Sequence, residues 1–280
     1  YFSRLSAADL NAIAVEDLLG KVLTHWQLLK KRLLKNHHVQ VVSPTVQEHG
    51  WYSKHSIVFI VIEQMPFVID TVRMELNRLG LEVYQYIHSI HYALRDNKGE
   101  LKSLHLDVKQ AKKAQKKEDS IVKELVLSIE IGRYNKAEFL LEIQDCIENV
   151  LTDVRFAVDD WEPMKENMLR VIGDIKHIPD DEERKQLKET KAFLTWLIDS
   201  FTFLGFRAYK SQGKGKDKAL RLVRGSGLGV LREEIPISKG HYQSHLPPKT
   251  QNQHINSVMT VTKTNTMSTV HRQAYTDYII

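Results

Sequence analysis

Apolar residues recur at helical spacing in the first 35 positions of the chain and again after residue 135, with strand-like patterns in between. Ser6, followed three residues later by Asp9, predicts a capped helix start. A second helix carries one apolar stripe, which needs a partner surface. The stripe consists of Leu18, Leu19, Val22, Leu23, Trp26, Leu29 and Leu33. Residues 4–35 are therefore predicted to form two helices.

Two strands and a third helix follow. Residues 39–46 form a short strand pattern that ends at Pro44, and residues 55–62 (HSIVFIVI) are an almost unbroken apolar, β-branched run. Such a run is typical of a central strand that is covered on both faces. After a turn, Pro66 suits the first position of a helix, and Gly80 suits its end. The apolar stripe of this helix consists of Met65, Val68, Val72, Leu76 and Leu79.

In the remainder of the first half, the residues first show the alternation of a strand and later the spacing of a helix. Residues 81–94 are predicted as a long strand with Tyr84, Tyr86 and Tyr92 on one face, and residues 95–99 as a turn. Residues 100–119 read as a polar excursion, and residues 121–131 as a strand. From residue 135 one helical stripe continues to about residue 161, and another helix is predicted over residues 163–175.

This order of elements makes the early strand, residues 39–46, the fourth strand of the sheet. The predicted fold class is α+β, in the order β-β-α-β-β-α, with helices on one face of the sheet.

A second module is predicted after a boundary at residues 177–181. It begins with a helix over residues 181–199. Strands are predicted at residues 201–209, 219–223, 229–232 and 257–263, joined by Gly- and Lys-rich turns and by a Pro-containing stretch at residues 240–253. The predicted domains are N-terminal helices (1–36), a first α+β domain with long C-terminal helices (37–176) and a second mixed α+β module (177–280).

The amino-acid composition narrows the expected partners and cellular compartment. The 280 residues are 42% hydrophobic and 27% charged, and 40 Lys and Arg face 35 Asp and Glu. The excess is concentrated in residues 109–117 and 210–218, which are not interleaved with aromatic residues and so favour solvated loops over a nucleic-acid or membrane surface. The single cysteine, Cys146, fits a reducing compartment, and no apolar run approaches the roughly 18 residues of a membrane span. We expect a cytoplasmic protein without nucleic-acid or membrane partners.

The chemical motifs point to no catalytic, cofactor or metal site. The segment Gly225-Ser-Gly227-Leu-Gly229 is followed by a strand-like run and Pro236, so it favours a Gly-rich turn over a dinucleotide fingerprint. His88 and His91 point to opposite faces of a strand. Cys146 lies between Ile143 and Ile147 on a helix, where a buried, inert thiol is expected. Residues 121–131 contain no aromatic residue, which argues against a base-stacking RNA module.

The turn at residues 63–67 is the local feature with the clearest binding potential. It joins a buried strand to a helix N-terminus, where free N–H groups and the helix dipole favour a carboxylate or another anion. A plain tight connection would have the same donors, so both interpretations stay open.

Several motifs along the chain carry a family resemblance. In the first half these are Pro44-Thr45 with Glu48-His49-Gly50-Trp51, residues 65–72, residues 74–78 and Ile87-His88. In the second half they are residues 201–206, residues 225–229, residues 262–265, residues 268–272 and Tyr275. In the same order and across nearly all 280 residues, these motifs together resemble the N-terminal region of the large bacterial NAD-specific glutamate dehydrogenases.

The resemblance implies ACT-like regulatory modules with a ferredoxin-like sheet, a PAS-like module after the first of them, and a catalytic core much further along the parent chain. The parent enzyme would use NAD to convert glutamate to 2-oxoglutarate and ammonia. The present segment would bind no cofactor and catalyse nothing. Because the chain starts at Tyr1 and stops at an apolar run, we expect it to be a piece of a longer protein. Its expected partners are other domains of that enzyme, further copies in a homo-oligomer and an amino-acid effector.

ACT modules bind amino acids at the turn after the first strand and along the following helix. On this chain that surface maps to Glu63, Gln64, Met65, Pro66 and Phe67. Two further candidates are Asp70 and Asn77. Phe67 stands where such modules usually have glycine, a departure that favours assembly over sensing. The alternative hypothesis is a stand-alone protein-interaction or amino-acid-sensing module.

Overall fold

The computed structural model describes residues 1–2, 5–175, 181–212, 219–232 and 259–280. The helices are α1 (Ala7–Asn11), α2 (Val15–Leu29), α3 (Val46–His49), α4 (Val68–Arg78), α5 (Val108–Ala114), α6 (Ala137–Asp159), α7 (Trp161–Asp174) and α8 (Asp181–Ser200). The strands are β1 (His38–Val42), β2 (Ser56–Glu63), β3 (Val83–Arg95), β4 (Leu101–His105), β5 (Ser120–Ile131), β6 (Gly205–Phe206), β7 (Tyr209–Gln212), β8 (Ala219–Leu222), β9 (Leu228–Gly229), β10 (Val261–Met267) and β11 (Tyr275–Ile279).

The described residues divide into two compact units, Tyr1–Leu151 and Thr152–Ile280, which we call unit 1 and unit 2. Helix α6 begins in unit 1 and ends in unit 2. The boundary predicted at residues 177–181 falls largely outside the described residues, so the predicted domain limits stay a prediction. Residues 1–36 belong to the same unit as the large sheet.

Unit 1 is built on an antiparallel sheet with the strand order β1-β2-β5-β3-β4. Strands β2 and β3, which flank α4, are separated by β5, and this is the split β-α-β arrangement of ferredoxin-like folds. The early strand β1 lies beside β2 at the edge of the sheet. The predicted α+β class and the assignment of the early strand to the sheet are therefore confirmed.

The predicted polar excursion at residues 100–119 is wrong, because it contains a fifth strand and a helix. Strand β4 pairs with the end of β3, and α5 packs on both through Ala111, which is fully buried. The signal was weak because β4 is a short edge strand, and its sequence, Leu-Lys-Ser-Leu-His, contains only two apolar residues. Polar side chains on one face are usual for an edge strand.

Helices lie on both faces of this sheet, whereas the sequence predicted them on one. Ile57, Phe59 and Val61 share the face that is covered by α2. Val58, Ile60 and Ile62 point to the other face and are also completely buried. The buried stripes of α4 and α6 supply this second layer, and the two helices touch each other where Arg78 contacts Cys146. The prediction that the helices cover one face of the sheet is correct for α4 and α6, whereas α2 covers the other face.

The predicted apolar stripe of α2 splits into two parts. Lys21, His25 and Leu29 point to the sheet and are buried. Leu19, Leu23 and Trp26 lie beside them on the exposed side of the helix. Polar residues therefore occupy much of the buried face of this helix, and apolar residues occupy part of its exposed face.

A β-bulge in β3 alters the predicted tyrosine face. The register shifts between Val83 and Gln85, which makes Tyr84 the extra residue. Tyr84 stacks on His55 with the ring centroids 4.1 Å apart. The three tyrosines therefore do not form one continuous surface.

The described residues of unit 2 form α7, α8 and three two-stranded sheets, β6 with β9, β7 with β8 and β10 with β11. The helices predicted over residues 163–175 and 181–199 are confirmed. The Gly-rich turn predicted at residues 225–229 begins at Arg224 and leads into β9, which already includes Leu228 and Gly229. The basic residues 213–218, the Pro-containing stretch 240–253 and the start of the strand predicted at residue 257 lie outside the described residues. A PAS-like fold of this unit stays a prediction.

Candidate functional site

The turn between β2 and α4 brings five of the predicted site residues together. Glu63 ends β2, and the amide of Gln64 donates to the carbonyl of Lys123 in the neighbouring strand over 2.8 Å. Met65 is buried, whereas Pro66 is exposed. The turn is thus anchored at Gln64 and Met65 and opens to solvent at Pro66.

Phe67 has a left-handed backbone, with φ +70°. This conformation costs roughly 1 kcal/mol or more for a residue with a Cβ atom, and it is the reason that glycine is favoured in such turns. The sequence departure at Phe67 therefore coincides with real backbone strain. The turn geometry expected for a glycine is kept although the glycine is replaced.

Phe67 is the N-cap residue of α4, and no side chain caps this helix. The N–H groups of the first helical turn, at Val68, Ile69 and Asp70, thus point toward the turn without a side-chain acceptor from an N-cap. Together with the positive end of the helix dipole they can bind a carboxylate.

Gln64 supplies a second polar group at the same place. Its side-chain oxygen Oε1 is buried and has no hydrogen-bond partner among the described residues. A buried amide oxygen without a donor costs about 1–3 kcal/mol, so a ligand N–H or ammonium group that reached it would be favoured. The turn therefore offers donors for an anion on one side and an acceptor on the other.

The two candidates on the helix differ in position. Asp70 is exposed on the first turn, and its carboxylate lies 3.9 Å from the guanidinium of Arg73. Asn77 is exposed two turns later, about 10 Å further along the helix axis at 1.5 Å per residue. A single small molecule at the turn can reach Asp70 but not Asn77.

A polar cluster beneath α2 was missed by the sequence analysis. Glu124 of β5 binds two arginines, and all three side chains are completely buried. Arg95 donates to it through Nε at 2.7 Å and Nη2 at 2.9 Å. Arg32, just after α2, donates through Nε at 3.1 Å. The sequence gives little signal for this cluster, because Glu124 is one of four polar residues in the strand pattern of residues 121–131 and Arg95 is predicted in a turn.

Backbone carbonyls complete the coordination of both guanidinium groups. Arg95 donates to Gly99 and Leu29, and Arg32 donates to Leu33 and Asn36. The cluster thereby joins the end of α2 to the end of β3 and to the interior of β5. Because every partner comes from the chain itself, the cluster fastens α2 to the sheet.

A histidine occupies the centre of the same interface. His25 Nε2 donates to the carbonyl of Ile60 over 3.2 Å, and Nδ1 accepts from the hydroxyl of Tyr1 over 2.7 Å. The pKa of His25 is lowered to about 3, mainly by burial; the hydrogen bond to the Ile60 carbonyl opposes this shift, and the nearby Lys21 and His91 add to it. Burial also raises the pKa of Tyr1. Both groups are therefore neutral in the folded protein.

A second ion pair lies near the middle of α2. Lys21 binds Glu130 of β5, and His55 Nδ1 lies 2.8 Å from the same carboxylate. Burial by itself would raise the pKa of Glu130, but Lys21 and His55 outweigh it, and the pKa is lowered. This sheet face is thus held to α2 by ion pairs near the middle of the helix and just past its C-terminal end.

Other chemistry-bearing residues form no further site in the part of the chain that the structure describes. Within these ranges, no group of three or more His, Cys, Asp or Glu residues could hold a metal ion. Cys146 is half-buried rather than fully buried as predicted, and it contacts Arg78. In unit 2, Asp160 receives two hydrogen bonds of 2.6 Å from Arg232 and one from the amide of Gly229, which fixes the Gly-rich segment internally. Among the helices of the described residues, none is long and apolar enough to cross a membrane.

The split β-α-β sheet with its strand-to-helix turn defines an α+β domain of the ACT-like class. Comparison with known families agrees, since the family described as "Glutamate dehydrogenase, ACT1 domain" matches residues 1–147. The chain belongs to this family. The match ends close to the end of unit 1 at Leu151.

Two named relatives extend the similarity to the whole chain. The NAD-specific glutamate dehydrogenase of Halomonas elongata is 30% identical over 292 residues, and that of Pseudomonas aeruginosa is 31% identical over 287 residues. Each alignment covers 100% of this chain but 17% of the relative. The chain therefore spans about a sixth of the length of these relatives. No solved structure matches it.

Proposed function

We propose that this chain is a non-catalytic regulatory and assembly segment of a cytoplasmic NAD-specific glutamate dehydrogenase. The supporting observation is the ACT1-domain match over residues 1–147, together with similarity over the full chain to two enzymes of that name. The parent enzyme uses NAD to deaminate glutamate oxidatively to 2-oxoglutarate and ammonia. NAD and the reacting groups belong to other parts of the parent chain.

The test compares the chain with a longer polypeptide that carries it. The 280 residues alone should reduce no NAD in the presence of glutamate, whereas the longer polypeptide should do so. Glutamate-dependent NADH formation by the purified 280 residues, above that of a heat-denatured sample, would overturn the assignment of a non-catalytic role.

We infer further that an amino-acid effector binds at the turn of residues 63–67. Its carboxylate would accept from the first N–H groups of α4, and its ammonium group would donate to Gln64 Oε1 and Asp70. The uncapped start of α4 and the unpaired Gln64 oxygen support this placement. Asn77 lies too far along α4 to take part.

Calorimetry of the chain against each common amino acid tests the effector. Gln64→Leu and Asp70→Asn should each weaken binding by about tenfold, the cost of one hydrogen bond to a charged group. Asn77→Ala is the matched control from the same helix face and should leave the affinity unchanged. Flat titrations at millimolar ligand would remove the effector and leave the assembly role as the proposed function.

A further inference from the structure

Helix α2 carries an exposed apolar stripe along the side that does not face the sheet. We call Val15, Leu19, Leu23 and Trp26 the α2 stripe; their exposed fractions lie between 40% and 73%. The buried face of the same helix is formed by Lys21, His25 and Leu29, so the stripe is not needed for packing on the sheet. Adjacent large apolar side chains in solvent are unfavourable unless another surface covers them.

The positions along this side follow the spacing of a helix–helix seam. Residues 16, 19, 23, 26 and 30 are separated by three, four, three and four positions, as the a and d positions of a heptad are. The three inner residues of this series are Leu19, Leu23 and Trp26. The outer two are charged, with Glu16 at the start of the helix and Lys30 just past its end.

When a second copy of the series runs in the opposite direction, apolar residues face apolar residues and the charged residues face residues of opposite charge. If two α2 helices pack antiparallel about a twofold axis at Leu23, that residue meets its own copy. Leu19 and Trp26, which are four and three positions from Leu23, then lie close to each other across the seam. Glu16 of each copy then lies opposite Lys30 of the other, at both ends of the seam. A parallel arrangement would place Glu16 against Glu16 and Lys30 against Lys30, which is unfavourable.

We propose that the α2 stripe is the contact between two copies of this chain, packed antiparallel about a twofold axis near Leu23. Such an isologous interface buries the same apolar patch on both subunits and closes after two copies. The opposite orientation of the two helix dipoles agrees with the charges at the ends. The proposal rests on the assembly role stated above and does not depend on an effector at the turn of residues 63–67.

Disulfide trapping tests the orientation directly, in a Cys146→Ser background. Leu23→Cys should form a disulfide-linked dimer under mild oxidation, because the residue meets its own copy. Glu16→Cys alone and Lys30→Cys alone should remain monomeric on a non-reducing gel, whereas a mixture of the two should give a cross-linked heterodimer. Cross-linking of Glu16→Cys alone would overturn the antiparallel arrangement.

Sedimentation velocity measures the association itself. The chain has a mass of 32.5 kDa, so a dimer sediments as about 65 kDa, twice that value. Leu19→Glu and Leu23→Glu should raise the dissociation constant at least about tenfold, because each places two carboxylates in the seam. Leu141→Glu, at an exposed leucine on α6, is the matched control and should have no effect.

A charge swap distinguishes pairing from simple hydrophobic contact. Glu16→Lys and Lys30→Glu should each weaken the dimer by roughly threefold, and the double variant should restore it. If the chain forms dimers that the stripe variants do not weaken, the α2 interface is wrong and the assembly role survives. If the chain stays monomeric at about 100 μM, both the interface and the assembly role are wrong, while the effector titrations still stand on their own.

Discussion

Glu124 is the residue on which the attachment of α2 to the sheet depends most. Its carboxylate lies between Arg32 and Arg95, and all three side chains are inaccessible to solvent. Removing one partner of a buried ion pair is costly because a charge is left in a medium that solvates it poorly. The two arginines would then retain only backbone carbonyls as acceptors.

We therefore expect Glu124→Gln to lower the free energy of unfolding by about 3–5 kcal/mol. Urea denaturation followed by circular dichroism measures the change. Glu100→Gln is the control, because Glu100 pairs with Lys31 at the surface and its loss should cost less than about 1 kcal/mol. Equal effects of the two variants would show that the buried cluster is not a major contributor.

His25 gives the domain a pH dependence with a defined sign. Its pKa is lowered from 6.5 to about 3 by burial, so the unfolded chain binds a proton at a pH where the folded chain does not. Stability is therefore complete above about pH 6.5 and decreases as the pH falls from there toward 3. A pKa that differs by one between the folded and unfolded chain corresponds to about 1.4 kcal/mol, so His25 contributes a few kcal/mol in total.

Melting temperatures between pH 7 and pH 4.5 test this effect. The wild-type chain should lose stability steadily across this range, and His25→Gln, which cannot be protonated, should show a shallower slope. His38 and His91 have lowered pKa values for the same reason and leave a residual slope. Glu130 does not contribute to the slope above about pH 4.5. The pKa of its carboxyl is lowered in the folded chain, so its effect on stability begins only as the pH falls below about 4.5. Parallel slopes for the two proteins would contradict the assignment to His25.

At the scale of elements, Gly20 decides how closely α2 approaches the rest of unit 1. A Cβ atom at this position would lie 2.2–2.6 Å from the side chain of Trp51, which is buried. Alanine is favoured over glycine in a helix interior by about 1 kcal/mol. Overpacking of a well-filled core costs about 1–3 kcal/mol, so the unfavourable contact outweighs the gain in helix propensity.

Gly20→Ala should therefore destabilise the protein by about 1–2 kcal/mol, measured by thermal or urea unfolding. Gly173→Ala in α7 is the matched control, because a Cβ atom there meets no atom within 4 Å. That variant should be neutral or stabilising by up to about 1 kcal/mol. A stabilising Gly20→Ala would mean that Trp51 can move away at little cost.

Apolar periodicity predicted most of the elements of unit 1, because burial on a defined face leaves a pattern. The run in β2 indicated a strand covered on both sides, and the change to helical spacing after residue 135 placed α6 correctly. Two of the elements that it missed, β4 and α5, have a physical explanation. Strand β4 is an edge strand with a polar face, and α5, next to it, reads as a lysine-rich loop.

The sequence predicted the position of the turn at residues 63–67 but not its detailed geometry. A strand followed by Met65-Pro66 marks a turn into a helix start, and the structure has one there. The unpaired oxygen of Gln64 and the left-handed backbone of Phe67 depend on side-chain and backbone geometry that no spacing rule contains. For the same reason the three partners Arg32, Arg95 and Glu124 could not be connected, since 29 residues or more separate Glu124 from each arginine.

At the scale of the whole molecule, the question is where the first folding unit ends. The five strands of the large sheet and the helices that cover its two faces, α2, α4 and α6, all lie within residues 1–159. Contacts divide the described residues after Leu151, whereas the sequence predicted a boundary near residue 177. The two alternatives differ in whether α7 belongs to the first unit.

Three truncated chains decide between them. If the first unit is complete without α7, residues 1–159 should unfold in one cooperative transition, with a free energy of unfolding within about 1 kcal/mol of that of residues 1–176, because distant and independent parts contribute additively. Residues 1–132 lack α6, leave Ile60 and Ile129 without part of their cover, and should lose cooperative unfolding. A large gain in stability between residue 159 and residue 176 would instead place α7 in the first unit and support the boundary that the sequence predicted.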